Sequence, residues 1–93
     1  MSTELNSNLG GYIIQTGAAG ATGGFDSNKL ANVNITFDTP FSKPPAIICN
    51  AESSWLNLGR QTEPVNITAT GFTARCYSGD KSPYGFHWIA VGK

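Results

Sequence analysis

The strongest constraint in this sequence is a period of two. No window of a dozen residues keeps apolar side chains at the i, i+3, i+4, i+7 spacing of an amphipathic helix, because Gly, Pro or Asn interrupts each attempt. Short runs that alternate apolar and polar residues recur instead, separated by turn-forming clusters. Val33-Asn34-Ile35-Thr36-Phe37 and Val65-Asn66-Ile67-Thr68-Ala69 alternate cleanly. Tyr12-Ile13-Ile14-Gln15-Thr16, Phe72-Thr73-Ala74-Arg75-Cys76-Tyr77 and Gly85-Phe86-His87-Trp88-Ile89-Ala90-Val91 read as strands as well. Ala46-Ile47-Ile48-Cys49-Asn50-Ala51 is apolar enough to be covered on both faces. The Gly-rich stretch from Gly17 to Gly24 reads as a loop, and Glu52 to Pro64 as a long polar excursion.

Six short strands and no helix imply one all-β domain spanning residues 1–93, a six-stranded antiparallel β-sandwich or barrel-like sandwich. The expected core is Val33, Ile35, Phe37, Ile48, Ile67, Phe72, Ala74, Cys76, Trp88 and Ala90. His87, Ile89 and Val91 then fall on the opposite face of the last strand. A lone chain of this size would leave that apolar face in water, so an assembly of identical copies is expected to cover it.

Composition narrows the partners. Charged residues make up 13% of the chain, against about 25% in a typical soluble domain. Six basic and six acidic side chains cancel. No basic excess is available to hold a phosphate backbone, so nucleic acid is not an expected partner. Gly, Asn, Ser and Thr stand in for charge, and their groups suit neutral polar ligands or subunit contacts. Apolar runs stop at four residues, too short for membrane insertion. The first residues lack the basic and apolar regions of a Sec signal peptide. Cys49 and Cys76 are too few for a disulfide scaffold and read first as buried thiols, with a bridge possible where their strands face each other. With one His, they make no plausible zinc site, and no cofactor is expected.

Enzyme chemistry finds little to work with. Nucleophilic catalysis needs a nucleophile, a base and an orienting group, and the single His lies inside a strand. A glycosidase needs two carboxylates held in a cleft, for which a chain of this length lacks walls. The Gly-rich stretch has no Lys-Ser/Thr ending and no helix behind it, so it is not a phosphate loop.

Several segments, taken together, resemble the H-type lectin family of snail agglutinins and slime-mould discoidin C-terminal domains. They are Leu30-Ala31-Asn32-Val33-Asn34-Ile35-Thr36-Phe37, the turn Thr39-Pro40-Phe41-Ser42-Lys43-Pro44-Pro45 leading into the Ala46 strand, Thr70-Gly71-Phe72-Thr73-Ala74-Arg75-Cys76-Tyr77, and His87-Trp88-Ile89-Ala90-Val91. C-terminal domains of phage tail fibres and baseplate proteins are also similar. The resemblance implies a trimer, or a hexamer built from trimers, that binds glycans at subunit boundaries. N-acetylgalactosamine or galactose is the usual sugar class, and the expected location is extracellular or on a virion surface. The alternative it implies is a structural or receptor-binding tip of a phage tail fibre or baseplate protein.

By the same resemblance, Gly24 and Asp26 fall where the family holds sugar before its first strand, and Arg60 falls near the family's arginine after a one-residue slip. At the tip after Cys76-Tyr77 the family's lectins carry an aromatic residue and a His, whereas this chain has Gly79 and Asp80. Ser42 replaces one of the cysteines that bridge the snail proteins, so Cys76 is expected to lack its family partner. From the residues themselves, Asp26 offers a carboxylate for adjacent hydroxyls, Arg60 a rigid fork of donors and Asp80 a polar contact at a strand tip. Asp26 and Asp80 also fit turn roles, and Arg60 an ion pair with Glu63 or Glu52. Trp55 and Tyr84 are aromatic ligand candidates expected in loops.

Overall fold

Alternation puts Tyr84, Phe86, Trp88 and Ala90 on one side of the last strand, and all four are buried. The fold is organised around that row. A computed structural model describes residues 2–6, 11–52 and 59–93. It contains β1 (Ser2–Asn6), β2 (Ile13–Ala21), β3 (Leu30–Thr36), β4 (Ala46–Ala51), β5 (Arg60–Val65), β6 (Gly71–Ser78) and β7 (Tyr84–Gly92). One sheet has the order β1-β2-β7-β4 and the other β3-β6-β5, with every pairing antiparallel. The expected sandwich is present, with β1 added at the edge of the first sheet.

Large residues on β7 meet small ones on β2. The register opposes Trp88 to Gly17, Phe86 to Ala19 and Tyr84 to Ala21. Directly paired residues share a face, so each bulky ring spreads over a strand that yields it room. A Cβ on Gly17 would sit 2.6 Å from the Trp88 indole. This corrects the reading of Gly17 to Gly24 as a loop. The first five of those residues are strand, and their smallness answers the rings opposite rather than a turn.

Between the sheets, Phe37 holds the centre. Its ring lies 5.0 Å from Phe41, 6.0 Å from Phe72 and 5.7 Å from Trp88, and Phe72 meets Trp88 edge-on at 5.6 Å. Offset and edge-on contacts of this kind add to the energy of burial alone. Gln15 is fully buried beside them. Its amide Nε2 donates to the Thr39 carbonyl at 2.7 Å and its Oε1 accepts from the Thr39 N–H at 3.3 Å. Both ends of the amide are therefore satisfied, and the β3–β4 connection is bolted to β2. Both cysteines are free. Burial, with Cys76 as a second cause, pushes the Cys49 thiol up to about 11.

Two further expectations change. Ile48 is 69% exposed rather than core. The register pairs it with Ile89 on the outer face, while Ile47 and Cys49 turn inward beside Ala90 and Trp88. Four apolar residues in a row, Ala46 to Cys49, do not reveal their phase. The strand expected at Val65 to Ala69 instead begins at Arg60 and ends at Val65. Asn66 has φ +51°, and the Thr68 hydroxyl oxygen accepts from the N–H groups of Thr70 and Gly71. That arrangement is a turn, stabilised by side chain-to-backbone bonds.

Outside, the four-stranded sheet presents Ile14, Thr16 and Ala18 from β2, His87, Ile89 and Val91 from β7, and Ala46, Ile48 and Asn50 from β4. A shallow hollow of about 420 Å³ opens among Thr16, Ala18, Ile48, Asn50, His87 and Ile89. The His87 Nε2 lies 2.9 Å from Glu52 Oε2 at its border.

If Gly17 faces the indole, Gly17→Ala should destabilise the domain by about 1–3 kcal/mol through overpacking, and Trp88→Ala by about 3–5 kcal/mol. Urea unfolding measures both. Wild-type stability in Gly17→Ala would return that residue to a loop.

Candidate functional site

Antiparallel order gathers at one end of the sandwich residues 22–29 between β2 and β3, residues 79–83 between β6 and β7, the end of β4 and the start of β5. Gly24, Asp26, Arg60, Asp80 and Tyr84 all lie at this end. Trp55 lies outside the described residues.

Asp26 builds its own loop. Its Oδ1 accepts from the N–H groups of Asn28 at 2.8 Å and Leu30 at 3.0 Å. Its main chain closes the turn, donating to Leu30 O and accepting from Lys29 N, both at 2.9 Å. The turn role foreseen for Asp26 is present, and Oδ2 takes no hydrogen bond from the described residues. Gly24 precedes it with φ +74°, a left-handed conformation that glycine adopts without strain, and nothing lies within 4 Å of where its Cβ would be. The backbone there is bare toward solvent.

Arg60 and Asp80 meet. The Arg60 Nη2 donates to Asp80 Oδ1 at 3.1 Å and to Oδ2 at 3.2 Å. The expected ion pair of Arg60 with Glu63 or Glu52 is thus corrected. Glu63 points out of the opposite sheet face to Arg75, Glu52 pairs with His87, and Arg60 lies inward at the strand start. Asp80 Oδ1 also accepts from Ser82 N–H at 3.0 Å, and the buried Ser78 hydroxyl lies 3.0 Å from it. The Ser82 N–H, with smaller help from the Ser78 and Ser82 side chains and Arg60, outweighs desolvation and lowers the Asp80 pKa to about 2. Such a carboxylate stays ionised near neutral pH and is a poor proton donor.

Tyr84 is the first residue of β7, not a loop residue. Its ring is 8% exposed and stacks with Phe25 at 6.4 Å. Its hydroxyl donates to the Gln61 carbonyl and lies 2.9 Å from Thr62 Oγ1. Burial raises its pKa to about 12. The ring forms a floor beneath the loops. Ser78 and Phe25 were missed from sequence. Ser78 follows the inward phase Phe72, Ala74, Cys76, which a count of polar residues hides.

Within one chain the two halves stand apart. Asp26 precedes β3 and Arg60 opens β5, and β3 and β5 are the two edges of the three-stranded sheet with β6 between. Two strand spacings separate those edges by about 10 Å. The β3 edge therefore offers a carboxylate oxygen and bare backbone and the β5 edge the Arg60 fork, with Asp80 reaching Arg60 from the β6–β7 connection beyond the middle strand.

This architecture is an all-β domain, a two-sheet antiparallel sandwich with polar loops clustered at one end. The H-type lectin domain model matches residues 32–91, and the chain belongs to that family. No curated protein matches it by sequence. Among solved structures it is similar to the C-terminal part of the Pseudomonas aeruginosa R1 pyocin fibre, with TM-score 0.71 and 16% identity, covering 100% of this chain and 28% of that one. An N-truncated R1-type pyocin tail fibre gives TM-score 0.72 at 15% identity, covering 100% of this chain and 86% of that one. The Gp54 tailspike of Acinetobacter baumannii bacteriophage AP22, solved with A. baumannii capsular saccharide, gives 0.61 at 18% identity, with 86% and 17% covered. The chain thus spans little more than a quarter of the first fibre fragment and under a fifth of the tailspike.

Because the folded Asp80 pKa lies below the ordinary value of 3.8, its contribution is present above about pH 4 and fades as pH falls through about 2. Asp80→Asn should therefore melt below wild type at about pH 6, and the two curves should converge by about pH 2. A constant gap down to that pH would show that the carboxylate's ionisation is irrelevant.

Proposed function

We propose that this chain is a single carbohydrate-binding domain that acts as a homotrimer, with saccharide held where subunits meet. The observation that carries the reading is the separation of Asp26 and Arg60 onto opposite edges of one sheet. A ring of copies brings the β3 edge of one subunit against the β5 edge of the next, and each junction then holds a complete set of polar groups. The exposed apolar face around Ile48, Ile89 and Val91 supports the same assembly, since burying it drives association.

Gly24 and Asp26 offer backbone and carboxylate to sugar hydroxyls, Arg60 offers donors, and Asp80 holds Arg60 in place. Weak single sites gain strength when several copies engage one surface. The reading is of a binder rather than a catalyst. Likeness to pyocin fibre and phage tailspike domains supports a receptor-binding tip on a virion or fibre surface, which is one way for such a domain to act. The N-acetylgalactosamine and galactose class comes from the family, and the Gly79-Asp80 tip departs from the aromatic and His found there.

Light scattering should give about three times the 9.8 kDa of the chain, and a glycan array should retain the protein. Asp26→Ala should abolish retention and leave the trimer whole. Unchanged affinity in that variant would move the site elsewhere, and a monomer would remove the shared junction.

A further inference from the structure

Among the described residues, three other than glycine have a left-handed backbone: Lys29 at φ +67°, Asn66 at +51° and Lys81 at +61°. Asparagine is common there, and Asn66 sits at the far end of the sandwich. The two lysines are different. Both lie at the loop end, and both are the fourth residue of a tight turn, where glycine is the least strained choice. Lys29 N–H donates to Asp26 O at 2.9 Å, and Lys81 N–H donates to Ser78 O at 3.0 Å. Ser78 joins them, since its own N–H donates to Lys29 O at 3.1 Å. Two neighbouring loops therefore repeat one turn and put a lysine at its strained position each time.

Local structure gives neither lysine side chain a task. Both residues are exposed, and neither ammonium has a carboxylate partner among the described residues. The other charges at this end are engaged. Asp80 neutralises Arg60, Asp26 lends Oδ1 to its own turn, and Glu52 pairs with His87 on the outer sheet face. Three cations and three carboxylates lie there, and the two lysine ammonium groups alone make no hydrogen bond or ion pair among the described residues. Strain kept where a less strained residue would serve is a mark of function.

We propose that Lys29 and Lys81 form a cationic rim that selects saccharides carrying carboxylate or phosphate groups. The inference rests on the saccharide-binding reading above and names the ligand class. The sugar hydroxyls engage Asp26 and its bare backbone, and the anionic substituents meet the two ammonium groups. Charge-assisted contacts of this kind are stronger than neutral ones, and at an exposed rim salt weakens them.

The test uses immobilised oligogalacturonate against its neutral methyl ester, and phosphorylated mannan against the dephosphorylated form. Wild-type protein should prefer a charged form over its neutral partner by about tenfold or more, a difference of about 1.4 kcal/mol. The preference should fall with added salt, and which pair shows it separates carboxylate from phosphate. The double variant Lys29→Gly with Lys81→Gly should lose the preference while melting no lower than wild type. Lys43→Ala, at the far end, should keep it. Equal binding of charged and neutral forms, an indifferent double variant, a lower Tm in that variant or equal loss in Lys43→Ala would each overturn the rim. Saccharide binding itself would stand so long as Asp26→Ala removes it. Failure to retain any of the four saccharides would overturn the binding reading and the rim together.

Discussion

The fold depends on one close approach, the Trp88 indole laid across Gly17. It lets the widest side chain of β7 lie flat under its own sheet and still reach Phe37 and Phe72 from the other. The small residues that follow on β2, Ala19 and Ala21, extend the same accommodation to Phe86 and Tyr84. With its bulk turned inward, β7 shows His87, Ile89 and Val91 outward beside Ile48. A domain with few charges thus fills its core and leaves an apolar face on the outside of its four-stranded sheet.

The loop end follows from the same strand order. Antiparallel pairing brings alternate connections together, so the Asp26 turn and the Asp80 tip become neighbours through Ser78. The rigid parts are main-chain turns and short side-chain bonds, anchored on buried Ser78 and Tyr84. For the binding proposed above, a surface made this way is preorganised, which limits the entropy a ligand would cost. It is also divided, because β3 and β5 are separated by β6.

Sandwich architecture was legible because period-two alternation in β3, β6 and β7 is strong, and the phase of Phe72, Ala74 and Cys76 was correct. Strand β2 was half lost because its glycine and alanine answer rings sixty or more residues away, which no local window contains. Strand β5 was lost because Arg60-Gln61-Thr62-Glu63 carries no apolar signal and forms only by pairing with β6. Ile48 failed for want of phase. At the site, family resemblance singled out Gly24, Asp26 and Arg60. The Arg60–Asp80 pair needed the register that sets residue 60 against Ser78, and the burial of Tyr84 needed the sheet above it.

Subunit mixing tests most directly the proposed binding site completed by two chains. Asp26→Ala and Arg60→Gln chains, each silent alone, would be unfolded together, refolded and assayed on a saccharide surface. Mixed assemblies contain junctions with an intact Asp26 from one chain and an intact Arg60 from the next, so binding should return in the mixture. A mixture that assembles and stays as silent as its parents would contradict a shared site.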